Sequence, residues 1–202
     1  ISDHSKRVSV ANGMDEKRLR KQMEAIDKLN DKVKKIRVLK SIEVDILKDG
    51  SLDLPDDVLK ELDLVIASVH YYLDLSKKKQ TDRILKAMDN PNVNIIGHPT
   101  GRKIGERDPF DFDMDKIMKR AKDNGCFLEI NSQPDRLDLS DIYVKMATEK
   151  GIRLAISTDA HAPSDLDRVS YGIGTARRGW CEKKDVLNTY AWSDLKNMFE
   201  RS

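Results

Sequence analysis

The residues best equipped for chemistry in this sequence are its four histidines, His4, His70, His98 and His161. Each lies at, or within a few residues after, the carboxyl end of an apolar run. Glu43 (in SIEVDIL) and Glu129 with Asn131 (in CFLEIN) hold comparable positions, and Asp159 precedes His161 in ISTDAH. Imidazole and carboxylate are ligands suited to zinc, manganese or iron(II). Water on such ions loses a proton near neutral pH, and the ions polarise phosphoryl oxygens. Taken singly, a histidine after a strand is more often a satisfied structural group. A carboxylate such as Glu43, set among isoleucine and valine, is costly unless paired, but Arg or Lys would relieve it as well as a cation. Asp159-x-His161 is the stronger signal, because two such groups can reach one metal cluster. The opening residues ISDH echo that stretch. The joint placement favours a multi-metal hydrolase site.

Basic residues follow the same run ends. Arg102 and Lys103 come after His98, Arg136 after Asn131, and Arg168 and Arg177 after His161. Arginine forks match phosphate oxygens, so Arg102 and Arg136 are candidate catalytic and substrate contacts, with Asn131 and Arg168 as further substrate-binding candidates. The Lys77-Lys78-Lys79 run reads as solvated helix surface.

These groups need elements to position them. Apolar spacing over 14–35 (Leu19, Met23, Ile26, Leu29, Val33) predicts a helix, and 36–47 a strand. Pro55 suits the first residue of a short helix. LDLVIASVH and NVNIIGH read as strands ending in histidine, separated by a helix over 81–88. A helix over 114–124 closed by Gly125, the strand CFLEIN, and a helix from Ser140 to Lys150 closed by Gly151 come next. The strand IRLAIS then leads into Asp159 and His161. The irregular stretch 99–113 is long enough to be a functional loop. Counting the stub at Ile1, six strands alternate with helices, which implies a parallel α/β sheet, doubly wound or closed into a barrel. In both, ligands collect at the carboxyl edge of the strands.

The 202 residues suit a single domain, and 39% hydrophobic with 36% charged residues suits a soluble globular chain. No apolar stretch approaches the roughly 20 residues of a membrane span. A net charge of +2 gives no global nucleic-acid signature, so any such contact is local. No Gly-rich fingerprint follows the first complete strand, which argues against dinucleotide binding. Cys126 and Cys181 form no zinc set; Cys126 reads as a buried inert thiol, and both fit a reducing cytoplasm.

The motifs ISDHS, SIEVDIL, ASVHYYLDLSKKKQTDRI, NIIGHPTGR, LEINSQPDRLDLSD and ISTDAHAPSDLDRVSYGIGTARRGW together span nearly the whole chain. In order and spacing the sequence resembles the polymerase and histidinol phosphatase (PHP) family. The wording of the last four is most similar to the carboxy-terminal PHP domain of bacterial and archaeal family X DNA polymerases. The resemblance implies an α/β fold, a distorted (β/α)7 TIM-like barrel, with a trinuclear site at the strand ends. Glu43 would bridge two ions, with His70 and His98 completing the second. Asp159 would belong to the first, and His4 and His161 would hold the third. Two to three divalent ions (zinc, manganese or iron, with manganese for activity) are implied. So are 3′-to-5′ exonuclease and related 3′-end or abasic-site activity in DNA repair.

The sequence departs from the family in one respect. An H-x-H motif and a further ligand normally precede the D-H motif, and neither stands before Ile1. The expectation is therefore a PHP domain over 1–202 that lacks its first β/α unit, with only Glu43 and Asp159 left to the first ion. Its partners would be DNA 3′ ends and the polymerase domains of the same parent chain, in the cytoplasm at the nucleoid, with no membrane. Two rival readings are a phosphomonoesterase of the histidinol phosphatase kind, acting on a small phosphate ester, and a non-catalytic, metal-stabilised DNA-binding or structural module.

Overall fold

A computed structural model describes residues 1–200. The six apolar runs form six strands: β1 (Ser2–His4), β2 (Ser41–Asp45), β3 (Leu64–Ser68), β4 (Ile95–Ile96), β5 (Phe127–Asn131) and β6 (Leu154–Ser157). All neighbours pair in parallel, and the order across the sheet is the order along the chain. A doubly wound sheet reverses its order part-way; this one does not, and it curls into a partial barrel. The curl brings its two edges together: the rings of His4, on β1, and His161, just beyond β6, have centroids 5.8 Å apart.

Period-2 alternation sorts the strand residues between two environments. Ile42, Val44, Val65, Ala67, Leu128, Ile130, Leu154 and Ile156 join the main core. There they meet α1 (Glu16–Lys32), α3 (Lys77–Met88), α4 (Met114–Asn124) and α5 (Asp141–Glu149) through residues such as Leu19, Met23, Ile84, Met88, Ile117, Met118 and Val144. The short α2 (Asp56–Leu59) adds Val58 and Leu59. The alternate residues turn inside the curl. Ile66, Ile95, Phe127 and Ala155 form a second apolar cluster, plugged by Leu187 and by Leu195, Met198 and Phe199 of α7 (Trp192–Phe199). Above that plug the inner positions become polar: His4 and Glu43 face each other across the β1–β2 register, as do Asn131 and Ser157 across β5–β6. An apolar floor with polar groups at the carboxyl ends is the layout that puts chemistry at one mouth of the barrel.

Local signals account for the element ends. Asp15 caps α1 by accepting from the Arg18 N–H (2.8 Å), and Asp113 caps α4 through the Lys116 N–H. Gly125 ends α4 at φ +67°, a conformation that costs glycine little. Within α6 (Val169–Arg178), Gly172 lets the helix lie against the sheet, where a Cβ would meet Ser132 Oγ at 2.1 Å.

Several boundaries differ from the expectation. The second strand occupies only Ser41–Asp45, because its partners β1 and β3 run alongside it only there. The third helix starts a turn before Thr81, at Lys77, since Gln80 and Thr81 are buried with Arg83, Ile84, Ala87 and Met88. Ser140 stands at the N-cap of α5 but makes no side-chain cap bond. Past β6 lie two helices that the strand–helix alternation did not announce, α6 and α7. Beside β6, residues 186–188 take the place of a further strand. The Ile156 N–H donates to Asn188 Oδ1 (2.8 Å), and Asn188 Nδ2 donates to the Ile156 carbonyl (2.9 Å). Among the described residues no helix is long and apolar enough to cross a membrane.

Candidate metal centre

Parallel pairing delivers all four histidines to the carboxyl mouth of the curled sheet. Their rings form an arc, His98–His70–His4–His161, with successive centroids 5.1, 5.1 and 5.8 Å apart. Glu43 sits inside the arc. Its Oε1 is 3.1 Å from His98 Nε2 and 3.4 Å from His70 Nε2, and its Oε2 is 3.4 Å from His4 Nδ1. One ligand atom each from His4, Glu43 and His70 fall within 4.8 Å of one another. A cavity of about 470 Å³ opens beside them, bounded by His4, Glu43, Glu129, Asp159 and His161, with Ile66 among its lining residues.

Burial opposes ionisation of Glu43, yet hydrogen bonds and charge from His70 and His98 hold its carboxyl well below the usual range. Burial depresses His70, but the Asp45 and Glu43 carboxylates overcome this and raise it to about 9. His4 is lowered, first by burial and then by its histidine neighbours His70 and His161, against Glu43 and Asp159. Glu129, buried beneath the cluster, is pushed up to about 7 by desolvation. It accepts from Ser157 Oγ and from the His98 N–H.

Asp159 and His161 lie across the mouth from β2 and β3. Asp159 Oδ2 accepts from Asn131 Nδ2 (3.0 Å) and lies 3.8 Å from Arg136 Nε. Asp159 has φ +49° and His98 φ +27°, so two candidate ligands stand on backbone that L-residues rarely adopt. Such outliers concentrate at functional sites, where surrounding contacts impose them. For Asp159 those contacts include Gln133 Nε2, which donates to the carbonyls of Thr158 and Asp159.

The structure separates the basic candidates. Arg136 presents its guanidinium beside Asp159, and its Nη1 is buried without a hydrogen-bond partner. Arg102 donates instead to the carbonyls of Arg136 (2.7 Å) and Leu137, which ties down the Arg136 loop. Arg168 is held by Gln133 Oε1 and by Asp165 (3.0 Å). Asp165 also accepts from the His161 N–H (3.0 Å).

Asp45 belongs to the candidate site and was missed by sequence reasoning. Its Oδ1 is 3.1 Å from His70 Nδ1. A proton fixed there turns Nε2 toward Glu43, as the ring atom that a cation would take in exchange for its proton in a carboxylate–histidine–metal arrangement. Its Oδ2 pairs with Arg7 Nε at 2.9 Å. The alternation in SIEVD contained the signal, because two residues beyond Glu43 must share its face. Asp45→Asn should lower divalent-metal affinity about 10- to 100-fold, as other outer partners of ligating histidines do; isothermal titration of manganese into wild type and variant checks this.

The residues fit a divalent cation. The donors are imidazole nitrogen and carboxylate oxygen, and His70 is already oriented by a carboxylate behind it. His98 Nδ1 is buried without a hydrogen-bond partner, which is costly for a group with nothing to bind.

Over all 202 residues the chain is 42% identical to the DNA polymerase/3′-5′ exonuclease PolX of Bacillus subtilis (strain 168). It is 34% identical over 171 residues to a probable phosphatase of Thermoanaerobacter sp. (strain X514), a match covering 80% of this chain and 67% of that protein. The chain belongs to the PHP family. A probable phosphatase of Clostridium acetobutylicum matches at 31% over 161 residues, 74% of this PHP chain and 59% of the relative. The PHP chain spans about a third (35%) of the length of the Bacillus polymerase. No family model matches it.

Proposed function

We propose that this PHP chain is a metal-dependent phosphoesterase that hydrolyses DNA phosphodiesters at 3′ ends as part of a polymerase-containing parent protein, acting in repair at the nucleoid. The observation that carries the reading is the arc of four histidines closed around Glu43. Its likeness along the whole length to a polymerase and 3′-5′ exonuclease supports DNA as the substrate. The probable phosphatases favour a second reading, hydrolysis of a small phosphomonoester by the same residues.

His4, Glu43, His70, His98, Asp159 and His161 would hold two to three divalent ions. When bound, such ions polarise phosphoryl oxygens and acidify water. The remaining work falls to the chain itself. Asp45 keeps the His70 ring turned with Nε2 inward. Asn131 restrains the Asp159 carboxylate, and Gln133 fixes the strained turn that carries it. Arg136 is the group able to reach a non-bridging phosphate oxygen, with charge that stabilises negative charge developing there. Arg102 acts through Arg136, by anchoring its loop, and Arg168 acts through Gln133 and Asp165.

The comparison that decides between the readings is manganese-dependent shortening of single-stranded DNA against phosphate release from histidinol phosphate. The expected result is DNA shortening from the 3′ end with at least about tenfold higher kcat/KM, equivalent to about 1.4 kcal/mol in the transition state. A preference of that size for histidinol phosphate would establish the phosphomonoesterase, and no hydrolysis of either by a chain loaded with metal would leave a structural role.

A further inference from the structure

We propose that Tyr72, flanked by Arg7 and Lys48, is a nucleobase-stacking platform beside the metal centre that selects single-stranded nucleic acid over small phosphate esters. The proposal rests on the phosphodiesterase reading above and names how that site would hold its substrate.

Tyr72 follows the candidate ligand His70 by two residues, in the turn that leaves β3 at the same mouth as the site. It is 46% exposed and has φ +56°. A bulky aromatic residue in the left-handed region is a true outlier, and glycine would make the same turn without strain. The chain instead keeps a broad ring on the surface. The turn is held from below by Arg83, which is only 2% exposed although it carries a charge. Its Nη1 donates to the carbonyls of Tyr71 (3.1 Å) and Tyr72 (3.2 Å), and its Nη2 to the carbonyl of Ile46 (2.7 Å). One buried guanidinium therefore fixes the backbone after β3 against the end of β2.

Two cations frame the ring. Arg7 Cζ is 5.0 Å from the Tyr71 centroid and 5.4 Å from that of Tyr72, and Lys48 Nζ is 5.3 Å from Tyr72. They come from the segments after β1 and β2, so the first three strand ends build the feature jointly. Arg7 is itself anchored: its Nε pairs with Asp45, its N–H donates to Asp53 Oδ2 (3.0 Å), and its carbonyl accepts from the Tyr71 hydroxyl (3.2 Å). Asp45 is the group that orients His70, so Arg7 links the platform to the metal centre through a single carboxylate.

A rigid exposed ring next to cations is the combination that holds single strands, with bases on aromatic faces and phosphates on Lys and Arg. Lys48 is exposed and free to leave. A cation over an exposed ring contributes a factor of about 2 to 5 in affinity, whereas a stacked base contributes about 5- to 150-fold. A base therefore displaces the Lys48 ammonium from the ring and leaves it free to meet a phosphate. A small ester without a base gains nothing from Tyr72.

The test is fluorescence anisotropy with a short labelled oligothymidylate and an abasic phosphodiester chain of equal length, without added manganese. Tyr72→Ala and Tyr72→Gly are expected to weaken oligothymidylate binding about 5- to 30-fold, while Tyr72→Trp retains it. All four proteins should bind the abasic chain alike. Tyr72→Gly relieves the left-handed strain and should melt no lower than Tyr72→Ala, which keeps the comparison free of unfolding. Unchanged oligothymidylate affinity, or an equal loss on the abasic chain, overturns the platform even if DNA is cleaved. Tyr72-dependent binding by a chain that cleaves no phosphodiester in a separate assay with manganese overturns the function reading and leaves the platform standing.

Discussion

Glu43→Gln should lower manganese-dependent phosphoester hydrolysis by at least about 100-fold, more than the loss of an outer partner of a metal site usually causes. The substitution keeps the shape of the side chain and removes its charge. Glu43 lies within 3.4 Å of His4, His70 and His98. Among the described residues it is the one acid within 3.4 Å of three of the histidines, and hydrogen bonds from His70 and His98 favour its ionised form despite its burial. An amide there offers a single neutral oxygen and turns N–H donors toward the imidazoles, so cations lose their shared negative partner. Steady-state kinetics at saturating manganese, with circular dichroism to confirm the fold, measures the effect. Activity within threefold of wild type would mean that the chemistry lies elsewhere.

Arg83→Met is the second large effect, and it acts on stability. The guanidinium donates to three main-chain carbonyls, at Ile46, Tyr71 and Tyr72. Methionine fills similar volume without donors, and each buried carbonyl left unsatisfied costs about 1–3 kcal/mol. Because solvent can reach some of them and the cost of burying a charge disappears, the net loss should be about 3 kcal/mol. For a chain of this size that lowers Tm by about 6–12 °C. Arg83→Lys should recover only part of it, since one ammonium cannot reproduce the fork. Thermal unfolding followed by circular dichroism gives the values, and a shift under 2 °C for Arg83→Met would show that the turn holds without it.

Much of this architecture was legible in the sequence because period and chemistry agree. SIEVD alternates strictly, and Leu128 and Ile130 in FLEIN and Leu154 and Ile156 in LAIS also fall two apart; each run is a parallel strand with these positions in the main core. The family resemblance implied that His4 and His161 share an ion, and their rings lie 5.8 Å apart across the sheet edges. The parts that were not legible depend on contacts remote in sequence. Asp45 shares a face with Glu43, but only the fold brings its carboxylate to His70 Nδ1, from a strand 25 residues away. Arg83 sits in a charged helix, and only the fold shows that its guanidinium passes inward to carbonyls 11, 12 and 37 residues away. Arg102 and Arg136 looked alike from position. The backbone geometry separates them, giving one to carbonyls and the other to the Asp159 carboxylate.

Elemental analysis of the purified protein tests most directly whether the histidine arc around Glu43 holds divalent ions. About two to three equivalents of manganese, zinc or iron per chain are expected after dialysis, falling below one in Glu43→Gln. Metal content well below one equivalent in the wild type, unchanged by the substitution, would contradict metal binding there.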